Sequence, residues 1–148
     1  MFHVVLVEPE IPPNTGNVGR LCLATNTRLH LIEPLGFSID DKQLKRAGLD
    51  YWKDVDCHVW PSLAALQAAS SEEITFHYFT TKASEDYWSA SYGPDDYLVF
   101  GCETRGLPES LLQENLQNCR KIPTDNVRSL NLSVSVGIVL YEALRQTR

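Results

Sequence analysis

The chain has 148 residues, 43% hydrophobic and 22% charged, a size and balance that suit one globular domain needing neither disulfides nor metal. Thirteen Lys and Arg against nineteen Asp and Glu leave a net charge of -6, which counts against a partner held mainly by phosphate neutralisation. No stretch reaches the ~18 apolar residues of a membrane span, and the N-terminus lacks a basic region followed by an apolar core, so no membrane association is expected and the cytoplasm is.

The cysteines (Cys22, Cys57, Cys102, Cys119) and histidines (His3, His30, His58, His77) are scattered, without a C-x-x-C or H-x-x-x-H pair. Such spacing reads as small buried hydrophobes in a reducing compartment, and no metal site is expected.

Residues 2–7 are almost continuously apolar, as in a strand buried on both faces of a parallel sheet. A helix is predicted over 14–27, with Asn14 as N-cap and Val18, Leu21 and Cys22 on one face. A strand at 29–32 ends at Glu33-Pro34-Leu35-Gly36, and 40–49 makes a short helix. A strand at 55–60, a helix at 62–69 capped by Ser62, and a strand at 74–79 come next. Residues 83–96, rich in Ser, Tyr, Gly and Asp, form the loosest segment. A strand at 97–100 stops at Gly101, a helix over 108–115 starts on proline, a short strand occupies 120–122, and a long helix runs over 129–145. Alternating strands and helices predict an α/β fold with a single open, mainly parallel sheet flanked by helices. The final helix has hardly any polar face, and a helix apolar all round is buried all round, which implies cover from a second subunit or a central place in one chain.

Three segments follow strands, where open α/β sheets bind ligands. Pro12-Pro13-Asn14-Thr15-Gly16-Asn17-Val18-Gly19-Arg20 combines proline, two glycines and the start of a helix whose free N–H groups suit an anion such as an RNA phosphate. It matches neither a P-loop nor a G-x-G-x-x-G fingerprint, which disfavours a dinucleotide oxidoreductase, and it serves as a structural helix start about as readily as a phosphate site. Phe100 to Pro108 is a sharp turn in which Glu103 accepts from a ribose hydroxyl or steadies the loop; taken alone, a tight strand-to-helix connection explains it better. In Ile122 to Ser135, Ser129 or Asn131 can cap the final helix, whereas Ser133 and Ser135 lie deeper and suggest a ligand or a close helix contact.

In this order and spacing, P-P-N-T-G-N-x-x-R, F-G-x-E-T-R-G-L-P and I-P…R-S-L-N-L-S-x-S resemble the three motifs of the SpoU branch of the SPOUT RNA 2′-O-methyltransferases, across nearly the whole chain. The E-P-E-I-P-P-N-T-G-N run and the tail V-x-Y-E-A-x-R-Q further resemble the minimal subgroup acting on the wobble nucleotide, cytidine or 5-substituted uridine, of leucine tRNAs. The resemblance implies one domain over 1–148 with a C-terminal trefoil knot, S-adenosyl-L-methionine as methyl donor, a homodimer, and the tRNA anticodon loop as substrate. It implies cofactor contacts from Phe79, Thr80, Gly101, Gly106, Ile122, Ser129 and Leu130, with Glu103 and Asn131 bracing the loops. Asn14 and Arg20 would approach the methyl group from the other subunit, with Ser129 also at the reacting end. Arg20 would serve as the base or as a clamp on the adjacent phosphate. No appended RNA-binding domain is expected, so recognition would come from the dimer surface, and the loop over 124–127 is a residue shorter than the family pattern often has. Methylation of another tRNA or rRNA nucleotide, or non-catalytic binding of the cofactor or RNA, are the alternatives. A local basic strip from Arg20, Lys42, Lys45 and Arg46 would reconcile the acidic chain with RNA.

Overall fold

The computed structural model describes residues 1–48 and 50–148. In chain order it contains β1 (His3–Val7), α1 (Pro12–Ala24), β2 (Arg28–Ile32), α2 (Lys42–Ala47), β3 (Cys57–Trp60), α3 (Leu63–Ala69), β4 (Phe76–Phe79), β5 (Tyr97–Phe100), α4 (Glu109–Glu114), β6 (Cys119–Arg120) and α5 (Leu132–Thr147), with short 3-10 turns between some of them. Among the described residues the strands form one six-stranded sheet in the order β3-β2-β1-β5-β4-β6, every neighbouring pair parallel. The expected 40–49 helix shortens to Lys42–Ala47, and its last residue, Leu49, lies outside the described residues.

The sheet is covered on both faces, which is why its strands are continuously apolar rather than alternating. On one face Val4, Leu6, Leu29, Leu31, Leu98 and Phe100 pack with Val18 and Cys22 of α1 and with Val136, Val139 and Leu140 of α5. On the other, Val5, Val7, Tyr78, Tyr97 and Val99 pack with Leu66 of α3 and Leu112 of α4. All four cysteines are free thiols, and burial pushes that of Cys57 up to about 12.

Local chemistry fixes the helix starts. Ser62 Oγ accepts the amide of Ala65 at 3.1 Å, and Asp41 Oδ1 accepts those of Gln43 and Leu44. Asn131 Oδ1 accepts the amides of Ser133 and Val134 and the hydroxyl of Ser133 at 2.6 Å, so Ser133 belongs to the cap rather than to the helix interior. Helix α1 departs from expectation. It begins at Pro12 with Ile11 in the cap position, and Asn14 lies inside the first turn, its side-chain amide donating to Glu103 instead of capping.

The segment over 83–96 is not loose. The amide of Tyr87 donates to Lys121 O at 2.8 Å, and the amide of Lys121 donates to Glu85 O at 2.9 Å, tying the segment to β6. The Gln146 side chain accepts from the amide of Tyr92 and donates to Ala90 O. The Asp96 carboxylate accepts from the amides of Thr75 and Gly93 and pairs with His77. A polar composition reads as loop, but these groups have specific partners distant in the chain. Helix α5 is covered on one side only: Val134 and Tyr141 are 50% and 55% exposed. No helix is long and apolar enough to cross a membrane, among the described residues.

Candidate active site

At the carboxyl ends of β4, β5 and β6 three loops enclose a cleft of about 430 Å³, within the usual range for small-molecule sites. Phe79 and Thr80 come from the end of β4; Gly101, Glu103 and Gly106 from the loop after β5; Ile122, Ser129, Leu130 and Asn131 from the loop before α5; and Asn14 from α1. Every residue to which the motif resemblance gives a cofactor contact therefore lines one cleft. Phe79, Ile122 and Leu130 supply apolar walls beside the polar groups of the loops, a lining that suits a cofactor with a flat base and charged ends.

The loop after β5 is folded tightly on itself. A Cβ on Gly101 would stand 2.1 Å from the Gly106 carbonyl carbon, and Gly106 takes φ +70°, which favours glycine. The amide of Gly106 donates to Cys102 O at 3.0 Å and closes the turn. The side chain of Glu103, at the edge of the cleft, is engaged by three protein donors. Oε1 accepts the amide of Glu10 at 2.8 Å, and Oε2 accepts the amide of Ile11 at 2.8 Å and Nδ2 of Asn14 at 3.2 Å. Asn131 Nδ2 in turn donates to Asn14 Oδ1 at 3.0 Å. The chain Asn131–Asn14–Glu103 thus locks the three motif segments together beside the cleft. A second clasp runs the other way: Glu10 Oε1 accepts the amide and hydroxyl of Thr104, and these bonds hold the Glu10 carboxyl below the ordinary range.

Two expectations change here. The start of α1 is no free anion site, because Pro12 and Pro13 carry no N–H and Glu103 already occupies the two amides before them. The glycines of the first motif make room for protein rather than for a ligand. A Cβ on Gly16 would meet Leu44 O at 2.2 Å, and one on Gly19 would meet the Trp52 ring at 2.5 Å. Asn14 lies in the cleft of its own chain, with its amide engaged on both sides, and so acts as a brace there.

Arg20 stands apart. It is exposed, does not line the cleft, and makes no ion pair among the described residues; its guanidinium lies 6.0 Å over the Tyr51 ring. It lies six positions beyond Asn14, about 9 Å along a helix. Of the other cations near the motifs, Lys82 is paired with Glu109 at 2.8 Å, and Arg105 lies 3.9 Å from Glu8. Thr124 and Arg128 also line the cleft, so the shortened loop still faces it. Sequence reasoning missed Glu10 and Tyr51, whose signals are only the E-P-E run and an aromatic in a charged stretch. Among the described residues, no three His, Cys, Asp or Glu side chains gather as a metal would need.

A sequence profile of the SpoU rRNA Methylase family matches residues 1–141. The chain belongs to the SpoU methylase family. Among SpoU-type relatives, a protein of Saccharophagus degradans named tRNA (cytidine(34)-2′-O)-methyltransferase is 49% identical over 99% of this chain and 96% of its own length. One of Methylovorus glucosotrophus with the same name is 50% identical, over 99% and 96% respectively. A solved structure described as giving insights into the 2-OH methylation of C/U34 on tRNA superposes with a TM-score of 0.94 at 46% identity, covering 99% of this chain and 95% of that one. The parallel sheet with its flanking helices is the SpoU methyltransferase architecture.

Proposed function

We propose that this chain transfers a methyl group from S-adenosyl-L-methionine to the ribose 2′-oxygen of the wobble nucleotide of tRNA, cytidine or 5-substituted uridine at position 34 in leucine tRNAs. The observation that carries the reading is the cleft itself, built from three motif loops that Asn131, Asn14 and Glu103 fasten together. Relatives at about 50% identity along nearly their whole length, named tRNA (cytidine(34)-2′-O)-methyltransferase, support cytidine 34 of tRNA as the target. Residues 1–148 act as one catalytic domain, with the C-terminal segment threaded through the preceding chain as a trefoil knot, and they work in the cytoplasm where tRNA is.

The lining suits the cofactor: Phe79, Ile122 and Leu130 would hold its flat base, Thr80, Gly101 and Gly106 would offer backbone groups to its polar parts, and Ser129 would stand at the reacting end. When bound it supplies an activated methyl on a sulfonium, so the protein need only align the 2′-oxygen in line and remove its proton. The transfer would release the thioether as leaving group and pass the 2′-hydroxyl proton to solvent water. Arg20, too far along α1 for its own cleft, reaches the cleft of a second copy, where its forked N–H groups grip the phosphate beside the 2′-oxygen. The exposed Val134 and Tyr141 of α5 give that second copy an apolar face to cover, and the active unit is a homodimer.

The test incubates the protein with S-adenosyl-L-methionine and tRNA lacking 2′-O-methylation, then quantifies each 2′-O-methylated nucleoside by mass spectrometry. A gain in 2′-O-methylcytidine or a 2′-O-methyluridine derivative, abolished by Arg20→Ala, is expected. A gain only in 2′-O-methylguanosine would overturn the substrate while keeping the reaction.

A further inference from the structure

We infer that Tyr51 is a positioning residue for Arg20, its ring face holding the guanidinium in one orientation while leaving the N–H donors free for RNA. The inference rests on the reading that Arg20 acts on the RNA substrate. Tyr51 is 48% exposed, so burial does not explain an aromatic there. The Arg20 guanidinium carbon lies 6.0 Å over the ring centroid, at the reach of a cation–π contact.

The fold takes trouble to bring the two together. Gly16 lets Leu44 O approach α1 where any side chain would collide, and Gly19 takes the edge of the Trp52 ring into the helix surface. The amide of Tyr51 donates to Gly48 O at 2.9 Å, so the residue sits on a fixed turn directly before Trp52. Arg20 follows Gly19 and lies one turn beyond Gly16. The glycine spacing of the first motif therefore sets the place of an aromatic ring beside the arginine.

A ring suits this task better than a carboxylate. A carboxylate would pair with the guanidinium edge, engage its forked donors and compete with the incoming phosphate. A ring takes only the face, which RNA does not need. It also restricts in advance a long side chain that otherwise loses rotamer freedom on engaging its target.

The experiment measures methyl transfer to unmodified tRNA together with tRNA and S-adenosyl-L-methionine affinities. Tyr51→Leu is expected to lower kcat/KM for tRNA by about two- to fivefold, the size of an exposed cation–π contact, with cofactor affinity unchanged. Tyr51→Phe restores the wild-type value and Tyr51→Trp matches or exceeds it. In an Arg20→Ala background, Tyr51→Leu brings no further loss of tRNA affinity. The same loss in that background would mean that Tyr51 touches RNA itself, and an equal loss in Tyr51→Phe would mean that the hydroxyl is what matters; either overturns the inference. So does a Tyr51→Leu enzyme as active as wild type. Should the leucine variant unfold, the Phe and Trp variants decide by the same ring order. An inactive wild-type enzyme would overturn the proposed function as well, and that outcome is read before any variant is made.

Discussion

Replacing Glu103 with glutamine removes one charge and almost no volume, yet the clasp requires that both oxygens accept. Oε1 takes the Glu10 amide, and Oε2 takes the Ile11 amide and Asn14 Nδ2. Glutamine has one acceptor oxygen, so whichever amide it satisfies, its own NH2 then faces another donor. Hydrogen bonds to a charged group contribute about 1.5–3 kcal/mol each, and this site is partly open to water. The net cost of Glu103→Gln is therefore about 3 kcal/mol, which for a chain of this length lowers Tm by roughly 6–12 °C. Glu103→Ala, which lets water reach the same amides without a facing donor, costs no more than glutamine. Urea unfolding at constant m-value measures both. A glutamine variant within about 0.5 kcal/mol of wild type, or an alanine variant far worse than glutamine, would refute the two-oxygen clasp. Because Asn14 and Asn131 share this network, methyl transfer falls with stability.

Two further outcomes follow from the packing. Gly16→Ala is more damaging than Gly19→Ala by thermal melting, since the new methyl meets a backbone oxygen at 2.2 Å in the first case and a movable Trp52 ring at 2.5 Å in the second; equal costs would mean that the α2 segment shifts freely. On the other face of the sheet, the hydrogen-bonded pair His3 and His30 is held neutral, chiefly by burial, at about 4 and about 3 against an ordinary 6.5. The unfolded chain then binds more protons as pH falls from 6.5 towards 4, so stability is complete above that window and is lost as pH drops through it. His30→Gln flattens this slope in Tm against pH, and an unchanged slope would place the acid sensitivity elsewhere, with His77 the next candidate.

Much of this protein is legible from its residues. Strand 97–100 and the Ser62 cap come out as expected because a short, wholly apolar run and a serine before a helix are local signals. The loops that gather at the cleft are legible for a related reason: parallel strands put the loops after them at one end, so three motifs that each follow a strand must converge. Local signals also mislead. Asn14 looks like a cap, but two prolines and Glu103 already settle the helix start, and its amide is used between Glu103 and Asn131. Residues 83–96 look loose because their bonding partners, Lys121 and Gln146, are distant in sequence. The α/β class and the order of the elements are written in the residues, because they depend on periodicity and on strand direction, whereas the residues lining the cleft were named by the motif resemblance. The tertiary fold alone sets that Glu103 accepts from the amides of Glu10 and Ile11, that the motif glycines admit Leu44 and Trp52, and that Arg20 lies against Tyr51. Each of those is a contact between segments far apart in the chain, and periodicity holds no record of which distant group fills a given space.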